Sequence, residues 1–194
     1  MKKMMFNDRY GLTQAVISGR KTVTRRVVKD DWWPIYKIEA EEIKGDIIHV
    51  IANNGKLVIE HKCPYKIGEI VAVAQRYQDI FDYFNCVNPY AWEDSGWTNK
   101  MFTKADLMPH RIQITDLRIE RLQDISDDYF KEGITLLASA DDGRIQWGYA
   151  DEHLRYYMFD SPREAFASLI DKVSGKGTWD RNPFVWRIEF QLVK

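Results

Sequence analysis

What this chain has little of narrows it quickly. Cysteine occurs twice, at Cys63 and Cys86, a spacing that makes neither a CxxC motif nor a disulfide framework, so both read as ordinary thiols. Net charge is nearly absent: 28 Lys and Arg stand against 29 Asp and Glu, which argues against long nonspecific tracking along nucleic acid and for a compact ligand. Glycine (11) and proline (6) are modest beside a hydrophobic share of 45%, so neither disorder nor a fibrous class is indicated. No apolar run approaches the roughly 18 residues a membrane helix needs. Met1 to Phe6 leads into Asn7-Asp8-Arg9 without the apolar stretch of a signal peptide. Paired metal-ligand spacing is missing as well, since His61, Cys63, Cys86 and His110 are scattered. The expectation is one globular, cytoplasmic domain over residues 1–194 with no metal, no cofactor and no membrane partner.

Against that neutral background five cations fall within residues 20–29: Arg20, Lys21, Arg25, Arg26 and Lys29, with no acid among them. Such a local positive site invites an anion, phosphate first. The competing reading is an edge strand kept soluble by its charges.

Tyr10 to Ser18 places Leu12, Ala15, Val16 and Gly19 at helical spacing, and Gly19 suits the left-handed residue that ends a helix. The cation cluster therefore starts where this helix stops. Ile47 to Ile51 and Lys56 to Glu60 flank Asn53-Asn54-Gly55, the turn chemistry of a β-hairpin. Ile70 to Ala74 is apolar throughout and reads as a buried central strand. From Arg111 to Arg121 the alternation changes phase near Thr115-Asp116, which predicts a bulge. Ser126 is a candidate cap for a short helix through Glu132, stopped by Gly133. Ser161-Pro162-Arg163-Glu164 has the form of a capping box, followed by Ala165, Phe166, Leu169, Ile170 and Val173 on one face. From Phe184 to Val193, Phe184, Trp186, Ile188, Phe190 and Leu192 alternate with Val185, Arg187, Glu189, Gln191 and Val193, which predicts a closing strand with one strongly apolar face. Many short strands with few helices predict an α+β fold, a small β-barrel with flanking helices. Residues 78–106 and 137–160 are rich in aromatics and read as long functional loops.

Four segments then converge on a family: Gly19-Arg20-Lys21-Thr22-Val23-Thr24-Arg25 after a helix, Tyr65 to Val73 as a strand, Lys131-Glu132-Gly133-Ile134 ending a helix, and Trp179-Asp180-Arg181-Asn182-Pro183-Phe184-Val185-Trp186 before a last strand. In this order they resemble the ASCH domain. The resemblance implies a PUA-like β-barrel, with insertions at about 29–64, 78–106 and 137–160 relative to the short family core. It implies RNA or a modified nucleoside or nucleotide as partner, in a cleft lined by Arg20, Lys21, Thr22, Arg25, Arg26 and Gln75. Many family members carry an acid where Gln75 stands.

Some small bacterial members of that family look like amidohydrolases that deacetylate 4-acetylcytidine. Amide cleavage needs a nucleophile, a base for its proton and an acid for the departing amine. By resemblance Thr24 is the nucleophile, Lys21 the proton acceptor and Glu132 the proton donor, with Asp127 and Asp128 competing for the last role. A lysine base needs a lowered pKa, through burial or through cations such as Arg20, Arg25 and Arg26. Lys21 and Thr24 project to opposite faces of a regular strand, so they meet only if the backbone bends after Gly19. Trp179 and Trp186 read as packing residues. Trp32, Trp33, Trp92 and Trp97 lie in polar surroundings and are open to base stacking, at about 1–3 kcal/mol per base. Three readings follow: an RNA- or nucleoside-binding module, a metal-independent amidohydrolase, and a protein-interaction module built on the aromatic insertions.

Overall fold

A computed structural model describes residues 1–28, 38–44, 47–52, 57–80, 93–126, 128–138 and 143–193, with backbone alone for 38–44, 47–52, 57–61 and 138. Lys29, Trp32, Trp33, the Asn53-Asn54-Gly55 turn, Cys86, Trp92 and Asp127 lie outside the described residues. The fold is mixed α/β, with sheets and few helices. Its main sheet has five strands in the order β1 (Lys3–Met4), β6 (Ile70–Val73), β7 (Arg111–Arg121), β11 (Phe184–Val193), β2 (Val23–Val27). Strand β1 runs parallel to β6, and the remaining pairings are antiparallel.

Two small antiparallel sheets accompany it. One joins β3 (Ile38–Lys44), β4 (Ile47–Ala52) and β5 (Leu57–Lys62), so the expected hairpin forms. The other joins β8 (Thr135–Ala138), β9 (Ile145–Ala150) and β10 (Tyr156–Phe159). Much of the segment 137–160, expected to be loop, is therefore strand. Its ordering force is aromatic: Tyr149 stacks on Tyr157 at 5.1 Å and on Phe159 at 6.2 Å. Gly148 admits the close approach, because a Cβ there would lie 1.9 Å from the Tyr157 carbonyl oxygen.

The bulge in β7 falls where the phase change places it: Glu189 pairs with Asp116 and Phe190 with Ile114, leaving Thr115 as the extra residue. Strand β6 is second in the sheet, not central, yet Val71, Ala72 and Val73 are fully buried. Lys3 on the edge strand β1 donates to the carbonyls of Lys100, Met101 and Thr103 at 3.0, 2.7 and 2.5 Å, so a loop covers that edge. Trp97 in the same region packs beside Ala72, Tyr77, Ile80 and Met108.

Helix α1 (Leu12–Ile17) and helix α2 (Pro162–Ser174) pack on this frame, with a single turn α3 (Thr178–Arg181) after them. Ser161 caps α2, its hydroxyl accepting from Glu164 N at 3.2 Å, with Pro162 at the first helical position. Phe166 is 1% exposed and meets Tyr129 and Trp179 edge-on; truncating it to Ala would cost about 3–5 kcal/mol. Among the described residues Ser126 makes no cap: the short helix is one 3-10 turn, Phe130–Glu132, with no side-chain cap, and Gly133 ends it at φ +99°. Strand β11 departs from the one-faced pattern, since Val185 and Arg187 are as buried as Trp186 and Ile188. Both faces are covered because α2 lies over one of them, with Phe166 6.0 Å beneath the Arg25 guanidinium, while Phe6 packs on Phe190 from the other at 5.6 Å.

Candidate functional site

The site is assembled by the way α1 hands the chain to β2. Gly19 adopts φ +73°, Gly19 N donates to Val16 O, and Lys21 N donates to Ala15 O, both at 2.9 Å. Thr22 N then donates to Lys131 O at 3.0 Å, and Phe190 N to Thr22 O at 2.9 Å. These bonds fix Lys21 against the Phe130–Glu132 turn. Its ammonium donates to Glu132 Oε2 at 2.6 Å and to the Glu132 carbonyl at 2.9 Å. Both side chains are shut away from water, at 2% and 4% exposure.

The second Glu132 oxygen is taken by Arg25, whose Nη1 donates at 2.9 Å while its Nε donates to Glu120 at 2.6 Å. Across the strands Arg25 stands opposite Arg187, which stands opposite Arg118. Like charges directly opposite one another destabilise a sheet unless acids intervene. Here Asp128 accepts from Arg187 Nη2 at 2.6 Å and Nε at 3.0 Å, and Asp116 pairs with Arg118 at 2.6 Å. Of the two competitors for the role of Glu132 only Asp128 is described, and it serves Arg187 in place of Lys21. Burial works to raise the Asp128 carboxyl, but the Arg187 hydrogen bond and charge, with Lys131, hold it below its ordinary value.

The Lys21 amine is pushed down from the usual lysine value. Burial is the main cause; the charge and hydrogen bond of Glu132 oppose it, and Arg25 and Arg26 reinforce it. The paired amine is thereby moved toward the neutral form that a base requires.

The alternate face of β2 carries Thr24 and Arg26, which pair across to Ile188 and Trp186. Both line a cavity of about 500 Å³ at the seam between β1 and β2, walled by Met5, Phe6 and Val27. Among the described residues no backbone ladder closes this seam into a barrel. Arg26 spans it instead, donating from Nη2 to Met5 O at 2.7 Å, with its guanidinium 5.9 Å from the Phe6 ring centre. Its Nε is the one buried side-chain nitrogen or oxygen among the described residues that lacks a partner. Thr24 is 8% exposed.

Of the sequence-derived residues, Lys21, Glu132 and Arg25 thus meet directly. Thr24 and Arg26 share the seam cavity, and no hydrogen bond joins Thr24 to Lys21 or Glu132 among the described residues. Arg25 reaches that cavity's wall, but carboxylates occupy its guanidinium. Thr22 acts through its backbone. Arg20 is exposed, touches Ser18 Oγ at 3.2 Å, and lines a different cavity. Gln75 is apart from all of these, in a third cavity with Asp8 and Arg76, accepting from His110 Nδ1 at 2.7 Å. Glu120 and Arg187 are the partners that sequence reasoning missed. Both contacts join residues far apart in sequence and follow from strand order, which leaves no local signal.

No family model matches the chain, and no match was found among curated proteins or solved structures.

Proposed function

We propose that this protein is an ASCH-type, PUA-like module that binds a nucleoside or nucleotide in the seam cavity, the curled five-stranded sheet serving as its barrel. The observation that carries the reading is the Arg26 side chain in the wall of a cavity of about 500 Å³, spanning the seam to Met5 O with Thr24 on the same strand face. A guanidinium at a cavity wall supplies positive charge and charge-assisted hydrogen bonding to a polar or anionic ligand, and a cavity of that size accommodates a small ligand. Apolar walls from Phe6, Val27 and Leu12, with Thr24 beside the guanidinium, suit a flat base with few polar edges. RNA is the macromolecular form of that ligand, presenting an unpaired or flipped base.

A second reading is favoured by the Lys21–Glu132 contact of 2.6 Å. Moving one proton across it yields a neutral amine and a carboxylic acid, the base and the acid that amide cleavage needs. Thr24 Oγ would add to the acetyl carbonyl of 4-acetylcytidine as its proton passes to Lys21. Glu132 would protonate the departing cytidine amine, and water would release acetate from the threonine ester. This reading requires a proton path between Thr24 and Lys21. Binding is placed first because no hydrogen bond joins the two.

The test is titration with cytidine and cytidine 5′-monophosphate, beside incubation with 4-acetylcytidine, for the wild type, Arg26→Ala, Lys21→Ala and Thr24→Ala. Binding that Arg26→Ala weakens, with no turnover, supports the module. Conversion to cytidine that disappears in Lys21→Ala and Thr24→Ala supports the amidohydrolase. A folded protein that neither binds nor converts ends both.

A further inference from the structure

A second cavity, of about 290 Å³, lies on the other side of α1, between that helix and the β8–β9–β10 sheet. Leu12 lines both cavities. Gly133 lines the second one and backs onto Lys21, since a Cβ there would sit 3.9 Å from Lys21 Cδ. The buried Lys21–Glu132 pair therefore has a cavity on each side, Arg25 marking the first wall and Gly133 the second. Arg20 stands at the second cavity, one residue from Lys21 in the same segment that delivers Arg26 to the first.

The walls of this second cavity are unusual in what they leave open. Tyr156 is 60% exposed and Leu154 is 74% exposed. Leu154 also adopts φ +59°, a left-handed conformation that a leucine holds only when its surroundings impose it. The imposing element is Asp151, whose carboxylate accepts from His153 N at 2.9 Å, from Arg155 N at 3.0 Å and Nε at 2.7 Å, and from Tyr157 OH at 3.3 Å. A rigid turn thus presents a strained, exposed leucine beside an exposed tyrosine ring, over a floor of Leu12 and Leu137. Residues held in such conformations cluster at active sites, ligand clamps and switch regions. Asp151 is fully engaged, so the cation at the mouth, Arg20, decides the charge of what enters. An apolar slot with a free aromatic face and one arginine at its mouth fits a nucleobase followed by a phosphate.

We infer that the cavity between α1 and the β8–β9–β10 sheet is a second base site, taking the nucleotide next to the one in the seam cavity, with Arg20 holding the phosphate between them. The inference rests on the nucleotide-binding reading above, and it makes the ligand a strand, not a free nucleoside. Tyr156 supplies the stacking face and Leu154 the opposing clamp.

The experiment compares cytidine 5′-monophosphate with the RNA trinucleotide UCU, which offers a neighbour on either side of the central base, by calorimetric titration at two salt concentrations. One stacked base and one phosphate contact predict a trinucleotide bound at least about tenfold more tightly than the mononucleotide. Tyr156→Ala removes most of that gain and leaves the mononucleotide unchanged. Arg20→Ala removes part of it and lowers the salt slope by about one. Leu154→Gly relieves the strained backbone, so it holds or raises the melting temperature while reducing the trinucleotide gain; a purely structural leucine would leave binding untouched. Equal affinity for UCU and the mononucleotide, or a gain that survives Tyr156→Ala, overturns the second site and leaves the seam cavity standing. Absence of binding to both probes overturns the nucleotide reading and this inference with it.

Discussion

Two ion pairs in this molecule look alike on paper and behave in opposite ways. In the β9–β10 turn, Asp151 accepts from Arg155, whose side chain is 60% exposed. Burial works to raise that carboxyl, but two backbone N–H groups and Arg155 overcome it and hold it at about 2. In the helix-to-strand turn, Lys21 meets Glu132 at a similar distance with both partners buried, and there burial wins: the lysine is lowered despite its carboxylate. The difference lies in how many donors converge on the carboxylate and in the cation, since both carboxylates are buried while Arg155 is open to water and Lys21 is not. A carboxylate with several fixed donors is locked in one charge state and serves as architecture. A buried amine held largely by one carboxylate has its pKa lowered from the usual lysine value, the direction in which a group that moves a proton is tuned.

The largest effect that would break this comparison comes from Glu132→Ala. It strands Lys21 and Arg25 in a buried site, and removal of one partner from such a pair costs about 3–5 kcal/mol. Denaturant unfolding of Glu132→Ala beside Asp151→Asn checks it, with Glu132→Ala expected to lose more. Equal losses would mean that burial does not separate the two sites.

A smaller and pH-dependent effect belongs to Lys21→Met. The folded-state pKa of Lys21 lies below the unfolded value of 10.5, so over the interval between them the unfolded chain binds more protons and stability rises with pH. The cost of charging Lys21 is complete below its folded pKa and vanishes as pH approaches 10.5. The wild type should therefore gain stability through that alkaline interval relative to Lys21→Met, which lacks the group. Parallel curves for the two proteins from neutral pH upward would show that Lys21 is not lowered.

How much of this was legible depends on how local each cause is. The Thr115 bulge, the stops at Gly19 and Gly133, and the Ser161 cap follow from neighbours in sequence, and they stand where the residues place them. Lys21 and Glu132 were named by resemblance and prove to be in contact. The bond from Arg25 to Glu120 spans 95 residues and depends on strand order, which alternation does not reveal. For the same reason Arg187 read as a solvent-facing residue of β11: nothing local announces that α2 and Asp128 cover that face. In the segment 137–160 the strand signal was hidden because Trp147 and Tyr149 alternate with a glycine and a glutamine in place of charges, and the close approach at Gly148 exists only once β10 has folded back.

The smallest expected effect sharpens the comparison most. Arg155→Ala removes the exposed side-chain donor of the Asp151 clasp and leaves the backbone N–H groups of residues 153 and 155 from the turn and Tyr157 OH from β10. If fixed donors are what lock the carboxylate, Asp151 should titrate upward from about 2 yet stay below the ordinary 3.8, with the melting temperature at neutral pH nearly unchanged. The sign follows from linkage: a carboxyl lowered on folding adds stability that is present above 3.8 and is lost as pH falls toward 2. The variant should therefore lose stability to acid at a slightly higher pH than the wild type. Carbon-13 carboxyl titration by NMR reads the shift directly. A full return of Asp151 to 3.8 would assign the lock to the arginine alone, and the two ion pairs would then differ only in depth.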